Sequence, residues 1–432
     1  MGDSRPLGFL GCPLCGARSG RCARYPREIC RVCVDAATDD VSSPLRLFNQ
    51  HLGGGFMVLR SDGVVDTPRS AVAMVRGVRC EFSERYMGGV VGQPLPAEQS
   101  ERIAGCLLGG AVGDALGAPV EFASLAAIQD MYGELGVRGY ESPGGLGAGA
   151  ITDDTQMTLF TAEGLLVAKT LGASTDDEYL ESIAAAYQRW MVTQSAVSVA
   201  PAGGWLLDVP SLHARRAPGN TCLGALAAGV AVPDSKGCGG AMRVAPVGLA
   251  FEDPFRLACR AAGLTHGHPS GYLAAGAFAA LIAMLRVGCN PQQAVTEVGR
   301  RLETEPDGAE VLDALTAARR LASSGTPTPQ RVERLGGGWV ADEALAIAVY
   351  CLLACDDIES GVRLAVNHSG DSDSTASMAG QLLGARHGAG PISWPLVEGL
   401  ECSTVLDEMS RDLASAFHGA PVTQWSGRYI PK

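Results

Sequence analysis

Lysine is almost missing from this sequence, occurring only at Lys169, Lys236 and Lys432. Acidic residues outnumber Lys and Arg by 46 to 34, a net charge of -12, so no overall positive field exists to hold a polyanion by counterion release. General nucleic-acid binding is disfavoured. No apolar run reaches the ~20 residues that a bilayer-spanning helix needs; the longest, 272–285, stops at Arg286. The first thirty residues carry arginines and four cysteines where a secretory signal needs an unbroken apolar stretch, so a cytoplasmic chain without membrane attachment is expected. There is no GxxxxGKS/T run, which excludes a P-loop enzyme, and His266 and His268 stand too close for an HExxH pair.

What is present describes a folded chain. Hydrophobic residues make up 47% and charged residues 19% of 432 positions, enough to bury a sizeable core. The fourteen cysteines are diluted over this length, many within apolar segments such as those around Cys106, Cys259 and Cys351, which suits a reducing compartment better than a disulfide scaffold.

Two textures meet at Gly92-Gln93-Pro94-Leu95-Pro96, which reads as a linker and sets domain boundaries of 1–96 and 97–432. Upstream, short apolar runs such as 55–59 are broken by the turn signal Ser61-Asp62-Gly63, predicting a small module with short β-hairpins. Downstream, apolar positions recur at helical spacing over 100–117, 155–171, 269–287, 308–322, 342–354 and 375–387, and over a segment capped by Thr175. The large region is therefore expected to be all-α, with close helix contacts through Ala and Gly. Residues 323–331 read as a solvated loop.

Cys12-Pro13-Leu14-Cys15 and Cys30-Arg31-Val32-Cys33 form two CxxC knuckles fourteen residues apart, a spacing at which Cys12, Cys15, Cys30 and Cys33 can close a tetrahedron around one structural Zn²⁺. Six arginines against two acids make this stretch locally basic, so any nucleic-acid contact would run through it. The plainer reading is a small solvated surface stapled by metal.

Two acidic patches stand out in the helical region. Thr152-Asp153-Asp154-Thr155 follows a glycine-rich run and opens a helix; Asp371-Ser372-Asp373-Ser374-Thr375 does so again 218 residues beyond Asp153. Either patch alone is explained by ordinary capping. Together, in apolar surroundings, they favour a shared Mg²⁺ or Mn²⁺ site with hard oxygen ligands, and four Asp suit two ions better than one. Glycine turns at 203–205, 219–221 and 236–240 precede helices and offer amides for phosphate or ribose oxygens.

In order, the run 105–117 (GCLLGGAVGDALG) with Glu121, then Thr152-Asp153-Asp154-Thr155, Gly240-Ala241-Met242-Arg243, Thr265-His266 and Gly370-Asp371-Ser372-Asp373-Ser374 resemble the ADP-ribosylglycohydrolase family over about 100–390. The resemblance implies an all-α fold, two Mg²⁺ or Mn²⁺ ions at the base of a cleft, and hydrolysis of the bond joining ADP-ribose to an acceptor. Thr152, Asp153, Asp154, Asp371, Asp373 and Ser374 match the metal-binding motifs, with Thr375 a rival to Ser374. It implies catalytic roles for Glu121, Asp153, Asp154 and Asp371, and substrate contacts for Gly219, Asn220, Ser235, Gly237, Gly239 and His266. Cys238 stands where relatives commonly carry Asn. The implied substrate is an ADP-ribosylated macromolecule or ADP-ribose, arginine-linked first, with serine- or nucleic-acid-linked ADP-ribose and a non-catalytic ADP-ribose-binding role as alternatives.

Overall fold

A computed structural model describes residues 12, 28–39, 43–51, 54–75, 78–85, 89–94, 96–142, 147–196, 201–392, 394–419 and 425–430. The chain divides into two compact units: Met1–Gln99 with Met284–Ala294, and Ser100–Ala283 with Val295–Lys432.

The first unit carries two antiparallel three-stranded sheets. One is β1 (Arg46–His51), β2 (Gly54–Leu59) and β3 (Val65–Asp66); the other is β4 (Ser70–Val75), β5 (Val78–Glu84) and β6 (Val90–Pro94). Alternation along β1 and β4 sends Leu47, Ala73 and Val75 inward, where they meet Phe56, Val58, Phe82 and the buried cysteines Cys12, Cys30 and Cys33. The expected linker at 92–96 is corrected here. Residues Val90–Pro94 form a strand paired to β5 and the next helix starts at Pro96. Pro94 is tolerated because β6 is an edge strand, so its missing N–H interrupts no second ladder.

The second unit is helical. Helices Pro96–Gly117, Asp153–Thr170, Asp176–Thr193, Pro269–Arg286, Ala309–Ala322, Ala341–Ala354 and Ser372–His387 coincide closely with the segments read from apolar spacing. Thr175 and Glu178 close a reciprocal capping box at the start of Asp176–Thr193. By length and hydropathy alone Gln99–Val120 and Pro269–Arg286 could cross a bilayer, but 83% and 78% of those windows are buried in the fold, as core helices are. The expected loop 323–331 is shorter than predicted, since Pro329 opens a helical turn to Val332, and Arg331 donates to the Leu321 carbonyl at 2.7 Å.

Glycine spacing brings two of these helices unusually close. Gly105, Gly109, Gly113 and Gly117 recur every fourth residue, one stripe of the helix Pro96–Gly117. A Cβ at Gly109 would lie 2.5 Å from the Gly380 carbonyl oxygen, one at Gly113 2.1 Å from that of Ala376, and one at Gly117 2.4 Å from that of Ser372. Backbone therefore packs on backbone along the helix Ser372–His387, down to the residues that carry its acidic start.

Candidate active site

The helix Asp153–Thr170 begins where Thr152, in extended conformation, turns its hydroxyl to accept from Asp154 N at 3.3 Å. That cap leaves the first-turn carboxylates of Asp153 and Asp154 at the positive end of the helix. The helix Ser372–His387 starts in the same way, with Asp371 as its cap accepting from Ser374 N at 3.4 Å. Both starts open onto one cavity of about 570 Å³, which Glu121, Asp153, Asp154, Asp371, Asp373 and Ser374 all line. Ser374 Oγ donates to Asp154 Oδ2 at 3.2 Å, joining two patches 220 residues apart. Carboxylate oxygens of Glu121, Asp371 and Asp373 lie within 4.8 Å of one another.

Asp114 ties the first patch down. Its buried carboxylate accepts from Thr152 N at 3.0 Å, Thr155 N at 3.1 Å and Thr155 Oγ1 at 2.5 Å. Asp114 is the single acid of the 105–117 motif. The available signal was an acid in an otherwise apolar helical run, which must find donors when buried.

The site is overloaded with negative charge. Burial, and then repulsion from Asp371 and Asp114, push the Glu121 carboxyl up to about 8. Burial raises Asp114 to about 6 against its hydrogen bonds, and it raises Asp153, Asp154 and Asp373 well above the carboxylate range, with neighbouring carboxylates adding to the effect. Asp154 Oδ1 is buried without a hydrogen-bond partner. Crowded hard oxygens, mutual repulsion and an orphaned carboxylate oxygen together fit divalent cations of the Mg²⁺ or Mn²⁺ type.

Thr375 is turned away from this cluster. Its hydroxyl bonds to the Asp371 carbonyl at 2.7 Å and to His368 Nε2 at 2.8 Å, while Ser374 faces the cavity. Thr152 is buried behind the lining, where its hydroxyl lies 3.5 Å from Asp154 Oδ2.

Gly219, Asn220, Gly237, Gly239 and His266 line the same cavity. Gly219 N donates to Asp153 Oδ2 at 3.3 Å, and Asn220, also on the cavity wall, opens the helix Asn220–Ala228. Gly237 and Gly239 let the chain run close to His266, whose Nε2 would lie 3.3 Å from a Cβ at Gly237. His266 Nδ1 meets Thr265 Oγ1 at 2.8 Å, and that hydroxyl also receives Arg243 at 2.7 Å. Burial, helped by the Arg243 charge, lowers His266 to about 3, so its ring is neutral. Ser235 is not among the lining residues. Its hydroxyl lies 3.2 Å from that of Thr221, which does line the cavity.

The turn at 203–205 does not serve a ligand. Trp205 N and Leu206 N donate at 2.7 and 2.9 Å to Oε1 of Glu163, a buried carboxylate of the protein itself.

Among the lining residues outside the sequence motifs, Arg215, Phe122 and Trp339 bring charge and aromatic faces. Arg215 is an exposed cation on the wall. Phe122, next to Glu121, has a left-handed backbone (φ 71°) and stacks on Trp339 with centroids 5.1 Å apart, both rings exposed at the cavity. No local pattern announces this pair, since its members are far apart in sequence.

In the first unit the sulfurs of Cys12, Cys30 and Cys33 lie within 4.8 Å of one another, with Cys12 and Cys33 3.7 Å apart. Cys15 lies outside the described residues.

Comparison with known proteins agrees with this geometry. A family model described as ADP-ribosylglycohydrolase matches residues 95–422. An uncharacterised protein of Archaeoglobus fulgidus is 33% identical over 324 residues, covering 72% of this chain and 96% of that protein. The ADP-ribosylhydrolase ARH3 of Bos taurus is 28% identical over 362 residues, covering 72% and 92%. A solved structure titled ADP-ribosylglycohydrolase-related protein complex superposes with a TM-score of 0.56 at 27% identity, covering 74% of this chain and 99% of that one. With its family match spanning the whole helical region and both acidic patches on one cavity wall, the chain belongs to the ADP-ribosylglycohydrolase family.

Proposed function

We propose that this protein is a divalent-metal-dependent hydrolase that releases ADP-ribose from an acceptor, and that the acceptor is the guanidinium of an arginine side chain on protein. The reading rests on one observation above all: two aspartate patches converge on a single cavity, and Asp154 Oδ1 is left there without a hydrogen-bond partner.

Asp153, Asp154, Asp371, Asp373 and Ser374 would hold the ions, with Thr152 supporting Asp154. Bound there, divalent ions supply Lewis-acid charge and orient ribose hydroxyls and an attacking water. Glu121 lines the cavity beside Asp371 and Asp373, where it can take a proton from the water or return one to the departing nitrogen. The amides at Gly219 and Asn220, the 237–239 turn and Arg215 offer donors and positive charge to the diphosphate. Neutral His266 can offer one ring nitrogen to the ligand. The arginine acceptor is supported by the Phe122–Trp339 pair beside Glu121, because a planar cation stacks on aromatic faces and is attracted by a nearby acid. In the first unit we propose one structural Zn²⁺ on Cys12, Cys15, Cys30 and Cys33. The 3.7 Å between Cys12 and Cys33 sulfurs supports it, being close to the edge of a tetrahedron with ~2.3 Å zinc–sulfur bonds.

The test is release of free ADP-ribose from defined arginine-linked and serine-linked substrates, with Mg²⁺, with Mn²⁺ and after chelation. Turnover on the arginine substrate that stops on chelation is expected. Equal turnover after complete chelation would defeat the metal reading, and preference for the serine substrate would defeat the acceptor assignment.

A further inference from the structure

Three sulfur-bearing residues, Cys222, Cys238 and Met242, line the oxygen-rich site, and the sulfur of Cys238 meets one of its acids. Cys238 opens a single 3₁₀ turn, Cys238–Gly240, and its amide donates to the Trp339 carbonyl at 3.2 Å, which fixes the residue at the cavity wall. From there its Sγ lies 2.8 Å from Asp371 Oδ2 and 3.7 Å from Ser374 Oγ. Ser374 Oγ in turn lies 3.2 Å from Asp154 Oδ2, whose other oxygen is the buried orphan.

These separations suit atoms that share one ion. Oxygen and sulfur ligands about 2.0–2.3 Å from a common cation, at ordinary coordination angles, stand roughly 2.8–3.7 Å apart. The 3.7 Å and 3.2 Å contacts fall in that interval; the 2.8 Å contact is the thiol's hydrogen bond to Asp371, and it needs to open by only a few tenths of an ångström to reach the ~3.0 Å of a sulfur and an oxygen at a right angle on one ion.

We propose that Cys238 enters the coordination sphere of the metal centre as a thiolate, beside Asp371 and Ser374. The inference rests on the metal-centre reading above and deepens it. The thiol proton is released to solvent when sulfur binds the ion, since a coordinating thiol is deprotonated outright. One soft donor in a hard set biases the centre from Mg²⁺ toward Mn²⁺, Co²⁺ and Zn²⁺. This chain would then respond to thiophilic cations in a way that an all-oxygen centre does not.

Cobalt is the probe. The full-length protein and Cys238→Ser are each titrated with Co²⁺, following the near-ultraviolet sulfur-to-cobalt charge-transfer band and the calorimetric stoichiometry. Cysteines of the amino-terminal unit contribute the same band to both proteins, so the difference between them reports Cys238. A band lost in Cys238→Ser, with Co²⁺ affinity at the centre reduced roughly 10- to 100-fold and Mg²⁺ affinity little changed, is the expected result. Identical charge-transfer spectra, with the same cobalt stoichiometry, would overturn the ligand role while leaving the metal centre standing. Absence of any cobalt equivalent sensitive to Asp371→Ala would instead remove the metal centre itself. Should Cys238→Ser fold poorly, the wild type decides: Co²⁺ must slow alkylation of Cys238, read by peptide mass spectrometry, more than Mg²⁺ does, and equal protection overturns the proposal.

Discussion

One helix, Asp153–Thr170, carries two kinds of buried carboxylate. Midway along it, Glu163 is fully buried, and it is answered from within the protein: Arg189 Nε donates at 2.7 Å and the amides of Trp205 and Leu206 complete the cradle. At its start, Asp153 and Asp154 are buried nearly as deeply, but the groups around them are more carboxylates, and Asp154 Oδ1 has no partner. Burial alone therefore does not mark a functional acid. A buried acid with internal cations and amides holds the fold together, while buried acids facing one another hold protons or, on the reading proposed above, take up a cation.

Variants can break this contrast. The largest effect is expected from Asp371→Ala or Asp154→Ala, which should lower ADP-ribose release on the order of 1,000-fold or more. Charge stabilisation of several kcal/mol is then lost, at 1.36 kcal/mol per decade; near-normal turnover in both would end the metal mechanism. Glu163→Ala should act in the other currency, costing about 3–5 kcal/mol of stability in denaturant unfolding by stranding Arg189, while folded molecules keep their activity. If it instead abolished turnover without destabilising the fold, the division between the two acid sites would be wrong.

A smaller effect should follow from Asp114→Asn. Asp114 touches no cavity space but positions the Thr152–Thr155 turn, so metal affinity measured by calorimetry should fall roughly 10- to 100-fold. Unchanged affinity would make Asp114 merely structural. The smallest is a pH dependence. Glu121, Asp114, Asp153, Asp154 and Asp373 hold protons in the fold at pH values where the unfolded chain has lost them. Metal-free stability due to these groups is thus fully present below the ordinary carboxylate range and lost as pH rises toward about 8, the value for Glu121. Thermal melts should show Mg²⁺ or Mn²⁺ raising Tm more at about pH 8 than at about pH 5. An equal rise at both would place the ions elsewhere.

Much of the helical unit could be read in advance because its evidence is local. Thr175 and Glu178 sit three apart, the spacing of a capping box, and the glycines at 105, 109, 113 and 117 sit four apart on one helix face. Proline and glycine are poor guides in two places. Gly92–Pro96 looked like a linker because Pro discourages strands, yet an edge strand accepts it. Gly203-Gly204-Trp205 looked like an anion turn, and it is one, but the anion is Glu163. The Arg215 wall and the Phe122–Trp339 stack have no local signature at all.

The order of residue types along the chain already dictated where helices start, which starts carry carboxylates and where two helices can touch backbone to backbone, because caps and stripes depend on neighbours three and four apart. It could not decide that Ser374 and not Thr375 faces the acids, that Cys238 stands against Asp371, or that Glu163 is satisfied while Asp154 is not. Those outcomes depend on which side chains arrive from distant helices. Only close packing of the whole unit determines that, by choosing which polar atoms find partners and which are left facing the cavity.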